Sequence, residues 1–229
     1  MSQHTVVAWP WLLLTSLTYI LGNRCRPFGL TGGIAAGKST ISQLFRAHGA
    51  VIIDADDIAR GVLEPGTWGY KRLRASLSRG TTPLWPQVCQ ADGRVDRQAL
   101  REAIFATPAV RRVVNQATHL PVFVELLRQL ILARLWYWRS FVVLDAPLLL
   151  ESGLDRLCHT VVLVTAPERT RIERVMRRDS VTETQAKATI AVQMVPAEQI
   201  KRAQVVFENS GTQTELRNRV DAWLQQQGL

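Results

Sequence analysis

A glycine-rich segment, followed by a lysine and two hydroxyl side chains, occupies residues 29–40 and reads GLTGGIAAGKST. Residues 32–39 fit the pattern G-x-x-x-x-G-K-[ST] at every fixed position. In such a loop the glycines let backbone N–H groups turn inward towards phosphates, and the following helix adds the positive end of its dipole. The pattern predicts binding of ATP or GTP, with Lys38 bridging the β- and γ-phosphates and Ser39 holding Mg²⁺.

Two acidic segments follow short apolar runs. Asp54 and Asp56 come after VII, and Asp145 comes after FVVL. Ligands of open α/β sheets bind at the carboxyl ends of the strands, where a carboxylate can accept a proton from a substrate hydroxyl or orient it. Asp145 is predicted to lie near the Mg²⁺ shell. The alternatives are a helix N-cap with an acidic first turn for the first segment and a loop-start aspartate for the second.

An arginine-rich segment follows the run TVVLV and contains Arg169, Arg171, Arg174, Arg177 and Arg178. The spacing places several of these side chains on one helix face. In a phosphoryl-transfer enzyme such a segment closes over ATP and neutralises the charge of the transferring group. A solvated helix face is the alternative, and the glycine-rich loop favours a lid for one or two of the arginines.

Short apolar runs alternate with helical patterns from residue 28 onward. The runs 28–31, 50–53, 141–144, 160–164 and 205–207 are typical of buried parallel strands. Helices are predicted at 38–48, 56–63, 97–105, 108–133, 167–178, 183–193 and 212–227. This alternation predicts an α/β protein, a P-loop NTPase-like three-layer fold with a parallel sheet of about five strands, a helical substrate-binding insert and a helical lid.

The domain organisation follows from the long helical stretch between the second and third strands, which exceeds one crossover helix. Residues 66–138 are predicted to form a helical substrate-binding subdomain. Residues 24–65 and 139–229 are predicted to form the nucleotide-binding core, and 167–195 its lid segment. Residues 1–23 are an apolar extension.

Composition restricts the class of protein. The 229 residues are 47% hydrophobic and 21% charged, which suits a globular enzyme with one core or two small lobes. The net charge of +9 suits polyanionic partners, but the charges are spread along the chain and no nucleic-acid reader motif is present. No nucleic acid is therefore expected. The three isolated cysteines indicate reduced thiols in an intracellular protein.

The N-terminal residues 5–22 carry no charge over 18 residues, a length barely sufficient to span a bilayer. The basic n-region of a secretory signal is missing. A membrane anchor, an organelle-targeting segment and an extension without a role in the fold all stay open. The expected location is cytoplasmic, with mitochondrial or membrane-associated alternatives through this segment, and the expected state is a monomer.

Together these segments resemble the dephospho-CoA kinases, which catalyse the last step of coenzyme A synthesis. The resemblance covers roughly residues 28–211 in the family's order. The matching segments are GLTGGIAAGKST, VIIDADDIARGVLEPG, DGRVDRQALREAIF, ATHLP, VVLDAPLLLESGL, RVMRRDSVTETQAKATIAVQM and FENSG.

The resemblance implies transfer of the ATP γ-phosphate to the ribose 3'-hydroxyl of dephospho-CoA, with ATP and Mg²⁺ as the cofactors. It implies Asp56 as the catalytic base, with Lys38, Arg174 and Arg178 as the other catalytic residues. The remaining implied residues fall into three groups. ATP would bind Gly32, Gly33, Ile34, Ala35, Ala36, Gly37, Lys38, Ser39 and Thr40; the metal would bind Ser39 and Asp145; the acceptor would bind Asp54, Arg60, Asp96, Arg97 and His119.

Three positions depart from the family pattern. His119-Leu120-Pro121 stands where the family usually has His-Pro, Thr189 stands where an arginine is common in the lid, and Gln204 stands where an aspartate is common before the last strand. Two alternative functions stay open: another small-molecule or nucleotide P-loop kinase, and a catalytically weak ATP-binding protein. A GTPase is disfavoured because the chain has no N-K-x-D motif.

Overall fold

The computed structural model describes residues 26–79, 83–136 and 141–229. The apolar residues 5–22, and the predictions made for them, lie outside this range. Within it, none of the helices combines the length and apolar character needed to cross a membrane.

A five-stranded parallel sheet with the strand order β2-β3-β1-β4-β5 is the centre of the fold. Its strands are β1 (Phe28–Gly32), β2 (Val51–Asp54), β3 (Val142–Asp145), β4 (Thr160–Thr165) and β5 (Val205–Glu208). Each predicted apolar run is a strand, and the predicted α/β class is confirmed. β1 pairs in parallel with β3 on one side and with β4 on the other, so the glycine-rich loop leaves the middle of the sheet.

Helices connect the strands. They are α1 (Lys38–Ala47), α2 (Ala55–Gly61), α3 (Trp68–Leu77), α4 (Trp85–Val88), α5 (Arg97–Ala106), α6 (Pro108–Trp136), α7 (Glu168–Asp179), α8 (Glu183–Ala191), α9 (Pro196–Arg202) and α10 (Gln213–Gln226), with a 3₁₀ turn at Leu154–Leu157. Helices α3, α4 and α9 are additional to those predicted from sequence. They are only four to ten residues long, and short segments give a weak periodic signal.

The first strand has a poor apolar pattern because two of its five residues are glycines. All five positions are nevertheless buried. A Cβ atom on Gly29 would collide with Leu149 Cδ2 and Cys158 Sγ, so the glycine lets neighbouring side chains close over the strand. Close packing, and not side-chain hydrophobicity, therefore selects the residue at this position.

The chain divides into two compact units, Met1–Ile53 with Ala133–Leu229, and Asp54–Leu132. The first contains the sheet and a core that includes Leu30, Phe45 and Val162. The second is helical and has its own core, which includes Leu73, Trp85 and Val114. The functional division into a nucleotide-binding core and a substrate-binding insert stays a prediction.

Candidate active site

The backbone after β1 turns sharply between Gly33 and Gly37. The amide of Ala36 donates to the carbonyl oxygen of Gly33 at 2.9 Å. Gly37 has φ 100°, and Ala35 has φ 59°, a left-handed conformation that costs a residue with a Cβ atom about 1 kcal/mol. Alternating backbone conformations of this kind turn successive N–H groups to one side and form a nest for an anion. We call residues 32–39 the phosphate loop.

Arg171, on α7, donates a hydrogen bond to the backbone of the phosphate loop. Its Nε donates to the carbonyl oxygen of Ile34 at 2.9 Å, and its residue is 5% exposed. Burial lowers the pKa of the guanidinium, and the carboxylate of Glu168 partly opposes this shift. The guanidinium group offers its donors in a fixed planar geometry, which suits a hydrogen bond to one backbone carbonyl oxygen.

The two lid arginines implied by the family resemblance occupy different environments. Arg174 Nη1 donates to the carbonyl oxygens of Ala35 and Ala36, at 3.1 Å and 3.4 Å. Arg178 forms two hydrogen bonds with the neighbouring carboxylate of Asp179, which raises the pKa of Arg178. Arg174 is therefore at the phosphate loop in this structure, whereas Arg178 is exposed near the end of α7.

Two amide side chains also contact the phosphate loop. Gln193 Oε1 accepts from the amide of Ile34 at 2.6 Å, and Asn209 Nδ2 donates to the carbonyl oxygen of Ala36 at 2.9 Å. Sequence analysis named Arg171 only as one of five candidate lid arginines, and it did not identify Gln193 or Asn209 as site residues. Asn209 follows β5 directly, so the argument from strand ends that selected Asp54 and Asp145 could have found it. Gln193 had no such signal, because it lay within a predicted helix that in fact ends at Ala191.

Lys38 begins α1, and its ammonium group is ion-paired with Asp145 Oδ1. Asp145 is the last residue of β3 and is 3% exposed. Ser39 follows in the first turn of α1 with an exposed side chain. Thr31 Oγ1 donates to the carbonyl oxygen of Pro147 at 3.1 Å and thereby ties β1 to the segment after β3. The structure thus brings the predicted loop lysine and the predicted metal-binding aspartate together.

Asp54, the last residue of β2, and the two aspartates after it belong to the second compact unit. Asp54 Oδ1 caps α2 by accepting from the amides of Asp56 and Asp57, at 2.8 Å and 3.0 Å. Asp57 is ion-paired with Arg60, and this hydrogen bond raises the pKa of Arg60. The capping role considered from sequence therefore belongs to Asp54. The side chain of Asp56 is exposed in the first turn of α2.

A second group of predicted site residues lines an open groove of about 610 Å³ in this unit. Asp96 caps α5 by accepting from the amides of Gln98 and Ala99, both at 3.0 Å. Arg97 Nη2 donates to Glu64 Oε1 at 3.1 Å. Of the predicted acceptor-side residues, Asp96 and Arg97 line this groove, whereas His119 is exposed on α6. The groove combines cationic and anionic side chains at one helix start.

The departures from the family pattern have local structural explanations. Gln204 Oε1 accepts from the amide of Val161 at 2.7 Å, so this side chain supplies a hydrogen-bond acceptor for a backbone N–H group at the start of β4. Thr189 Oγ1 donates to the carbonyl oxygen of Gln185 at 2.9 Å, within α8. Pro121 lies inside the continuous helix α6 and is buried. The chain therefore accommodates all three departures without losing an element of the fold.

Comparison with known proteins assigns the chain to a family. The profile of the family described as Dephospho-CoA kinase matches residues 27–215. A dephospho-CoA kinase of Oryza sativa subsp. japonica is 38% identical over 199 residues, which is 85% of this chain and 81% of that protein. A dephospho-CoA kinase of Anaeromyxobacter dehalogenans is 39% identical over 200 residues, which is 87% of this chain and 90% of that protein.

A solved structure shares the fold of this chain. The crystal structure of TT1252 from Thermus thermophilus superimposes with a TM-score of 0.67 and 31% sequence identity, covering 88% of this chain and 98% of that one. The family profile includes the phosphate loop, all of the second compact unit, and residues 27–53 and 133–215 of the first. The chain belongs to the dephospho-CoA kinase family.

Proposed function

We propose that this protein transfers the γ-phosphate of ATP to the ribose 3'-hydroxyl of dephospho-CoA and releases CoA and ADP. The observation that carries the proposal is the family match over residues 27–215, which includes the complete phosphate loop. The geometry of the loop supports it, because three side chains, Arg171, Arg174 and Asn209, hold its carbonyl oxygens from outside. The amides of Ile34 and Ala36 already donate within the protein, so phosphate oxygens are proposed to meet the other N–H groups of the loop.

The phosphate loop and its lysine are proposed to bind the β- and γ-phosphates. Lys38 has three donors on one ammonium group, so it can contact phosphate while it remains paired with Asp145. Arg174 already lies at the loop, and Arg178 is proposed to reach the transferring phosphoryl group from the lid segment. Fixed positive groups of this kind stabilise the charge of the transition state.

The residues near Lys38 fit a magnesium ion. Mg²⁺ prefers oxygen donors and is commonly held by one or two protein groups together with phosphate oxygens and water. Asp145, buried at the end of β3, and Ser39, in the first turn of α1, supply such donors. Among the described residues no cluster of three or more His, Cys, Asp or Glu side chains forms a complete metal cage. When bound, the ion would neutralise phosphate charge.

Asp56 is proposed as the base that accepts the proton of the ribose 3'-hydroxyl. Asp54 fixes the first turn of α2 through its two capping hydrogen bonds, and this turn carries Asp56. A carboxylate within hydrogen-bond reach of a hydroxyl group can accept its proton. Dephospho-CoA is proposed to bind Arg60, Asp96, Arg97 and His119. The two arginines would donate charged hydrogen bonds to its phosphates.

The test follows ADP release by the full chain with Mg-ATP and dephospho-CoA, beside AMP, adenosine and pantothenate as acceptors. We expect turnover with dephospho-CoA alone. Asp56→Asn should lower kcat by about 100-fold or more while the Kd for ATP is unchanged. Glu102→Gln, which also removes an exposed carboxylate in the same unit, is the matched control and should retain full turnover.

The outcomes separate the three functions considered from sequence. Turnover with another acceptor would identify a different small-molecule kinase. ATP binding without stimulation by any acceptor would identify a binding protein. An Asp56→Asn chain with unchanged kcat would reject Asp56 as the base without rejecting the reaction.

A further inference from the structure

Asn209 is a buried amide side chain that holds the phosphate loop and that the sequence analysis did not select as a site residue. Its residue is 8% exposed, and its backbone amide donates to the carbonyl oxygen of Thr165 at 2.7 Å, which fixes it just beyond β4 and β5. Its own carbonyl oxygen accepts from Arg174 Nη2 at 3.3 Å. The backbone of Asn209 is therefore fixed by hydrogen bonds at both its N–H group and its carbonyl oxygen. Its side chain extends from this fixed backbone to the phosphate loop.

The side chain of Asn209 meets the loop at one peptide group. Nδ2 donates to the carbonyl oxygen of Ala36 at 2.9 Å, and a Cβ atom on Gly37 would collide with Nδ2. The second donor to this oxygen, Arg174 Nη1, is more distant at 3.4 Å. Glycine suits position 37 for two reasons: it adopts a positive φ without strain, and it leaves room for the side chain of Asn209.

The orientation of this peptide decides where the next N–H group points. The Ala36–Gly37 peptide is trans and planar, so its C=O and N–H bonds point in opposite directions. A donor that holds the carbonyl oxygen of Ala36 on the β5 side directs the amide of Gly37 to the opposite side. Loops of this sequence pattern bind phosphate through such amides.

We propose that Asn209 is a positioning residue, which fixes the Ala36–Gly37 peptide so that the amide of Gly37 faces the nucleotide phosphates. Asn209 acts through the loop and does not contact the substrate itself. The inference rests on the proposed ATP-dependent function and names a residue that sets phosphate affinity. The lost orientation of one amide that donates to a charged phosphate corresponds to about a tenfold change in Kd.

The test compares Asn209→Asp with the wild-type chain. The substitution keeps the size and shape of the side chain but replaces the Nδ2 donor with an acceptor, which is repelled by the carbonyl oxygen of Ala36. Equilibrium binding is measured for ATP, ADP and inorganic tripolyphosphate, and the Kd for dephospho-CoA is measured without nucleotide. Asn218→Asp, the same substitution at an exposed position of α10, is the control for added charge.

We expect the Kd values for ATP, ADP and tripolyphosphate to rise together by about tenfold, with the Kd for dephospho-CoA unchanged. A weaker affinity for ATP with unchanged affinity for tripolyphosphate would overturn the proposal, because Asn209 would then act on the nucleoside. A lower thermal midpoint with all four Kd values unchanged would also overturn it, as a role in stability alone.

Two further measurements separate the binding effect of Asn209 from misfolding of a variant and from failure of the proposed reaction. Asn209→Ser, whose shorter hydroxyl does not reach Ala36 at the same distance, carries the same comparison where the Asp variant does not fold. Turnover of the wild-type chain with dephospho-CoA tests the proposed function separately. A wild-type chain that binds tripolyphosphate but does not phosphorylate dephospho-CoA would reject that function while leaving the binding test of Asn209 in place.

Discussion

The ammonium group of Lys38 and the carboxylate of Asp145 form an ion pair that joins the start of α1 to the end of β3. Asp145 is almost completely buried, and Lys38 is partly buried beside it. A carboxylate in this environment depends on its partner, because an unpaired buried charge is costly. The pair therefore links the stability of the carboxyl end of β3 to the position of the lysine that is proposed to bind phosphate.

This link predicts non-additive effects of substitution at the two positions. We expect Lys38→Met and Asp145→Asn each to abolish most turnover, since each removes a group proposed to act on the phosphates. In the free energy of unfolding, the double variant should be more stable than the sum of the single effects by about 1–3 kcal/mol. Urea denaturation of the four chains measures this coupling, and strictly additive values would contradict an energetic role for the pair.

Arg171 is predicted to hold the phosphate loop through Ile34. Arg171→Ala removes a charged donor from a partly buried carbonyl oxygen and should lower the free energy of unfolding by about 1–3 kcal/mol. It should also raise the KM for ATP more than the KM for dephospho-CoA. Arg169→Ala is the matched control, because Arg169 lies on the same helix with a side chain that is 91% exposed. Equal effects of the two variants would show that the loop contact of Arg171 is unimportant.

Arg97 is predicted to recognise the acceptor from the groove that it lines with Asp96. Arg97→Ala should raise the KM for dephospho-CoA by about tenfold, the effect of losing one charged hydrogen bond, while the KM for ATP stays the same. Arg101→Ala removes an exposed arginine one turn further along α5 and serves as the control. Steady-state kinetics with each substrate varied in turn make the measurement. An increase confined to the KM for ATP would place Arg97 on the nucleotide side.

Cys158 is predicted to resist alkylation in the folded protein. Burial, with a smaller contribution from Asp155, raises the pKa of its thiol to about 12, and the thiolate is the reactive form. At about pH 8, iodoacetamide should therefore label the less buried Cys89 well before Cys158, with labelling of Cys158 still increasing at higher pH because its pKa is not reached. Peptide mass spectrometry assigns the label to each cysteine. In denaturant both Cys89 and Cys158 should react. Fast labelling of Cys158 in the native protein would contradict its buried position next to Gly29 of β1.

The sequence by itself determined the order of the five strands along the chain, seven of the ten described helices, the phosphate loop and the family. The β-branched runs of β3 and β4 are almost completely buried, and those of β2 and β5 are partly buried, so each is apolar enough to be recognised. The loop depends on residues that adjoin in the chain. The least apolar strand, β1, was also located correctly because the loop begins where the strand ends. Local patterns of this kind are visible without a structure.

The tertiary structure alone decided which side chains hold the loop. Arg171, Gln193 and Asn209 are separated from it by more than 130 residues of sequence, and their contacts arise because β1, β4 and β5 are neighbours in the sheet. Several arginines of α7 look equivalent in the sequence, but only the helix face packed on the loop buries Arg171 and leaves Arg169 in solvent. Helix periodicity limits which residues can share a face, whereas the packing of that face against another element decides which of them are buried.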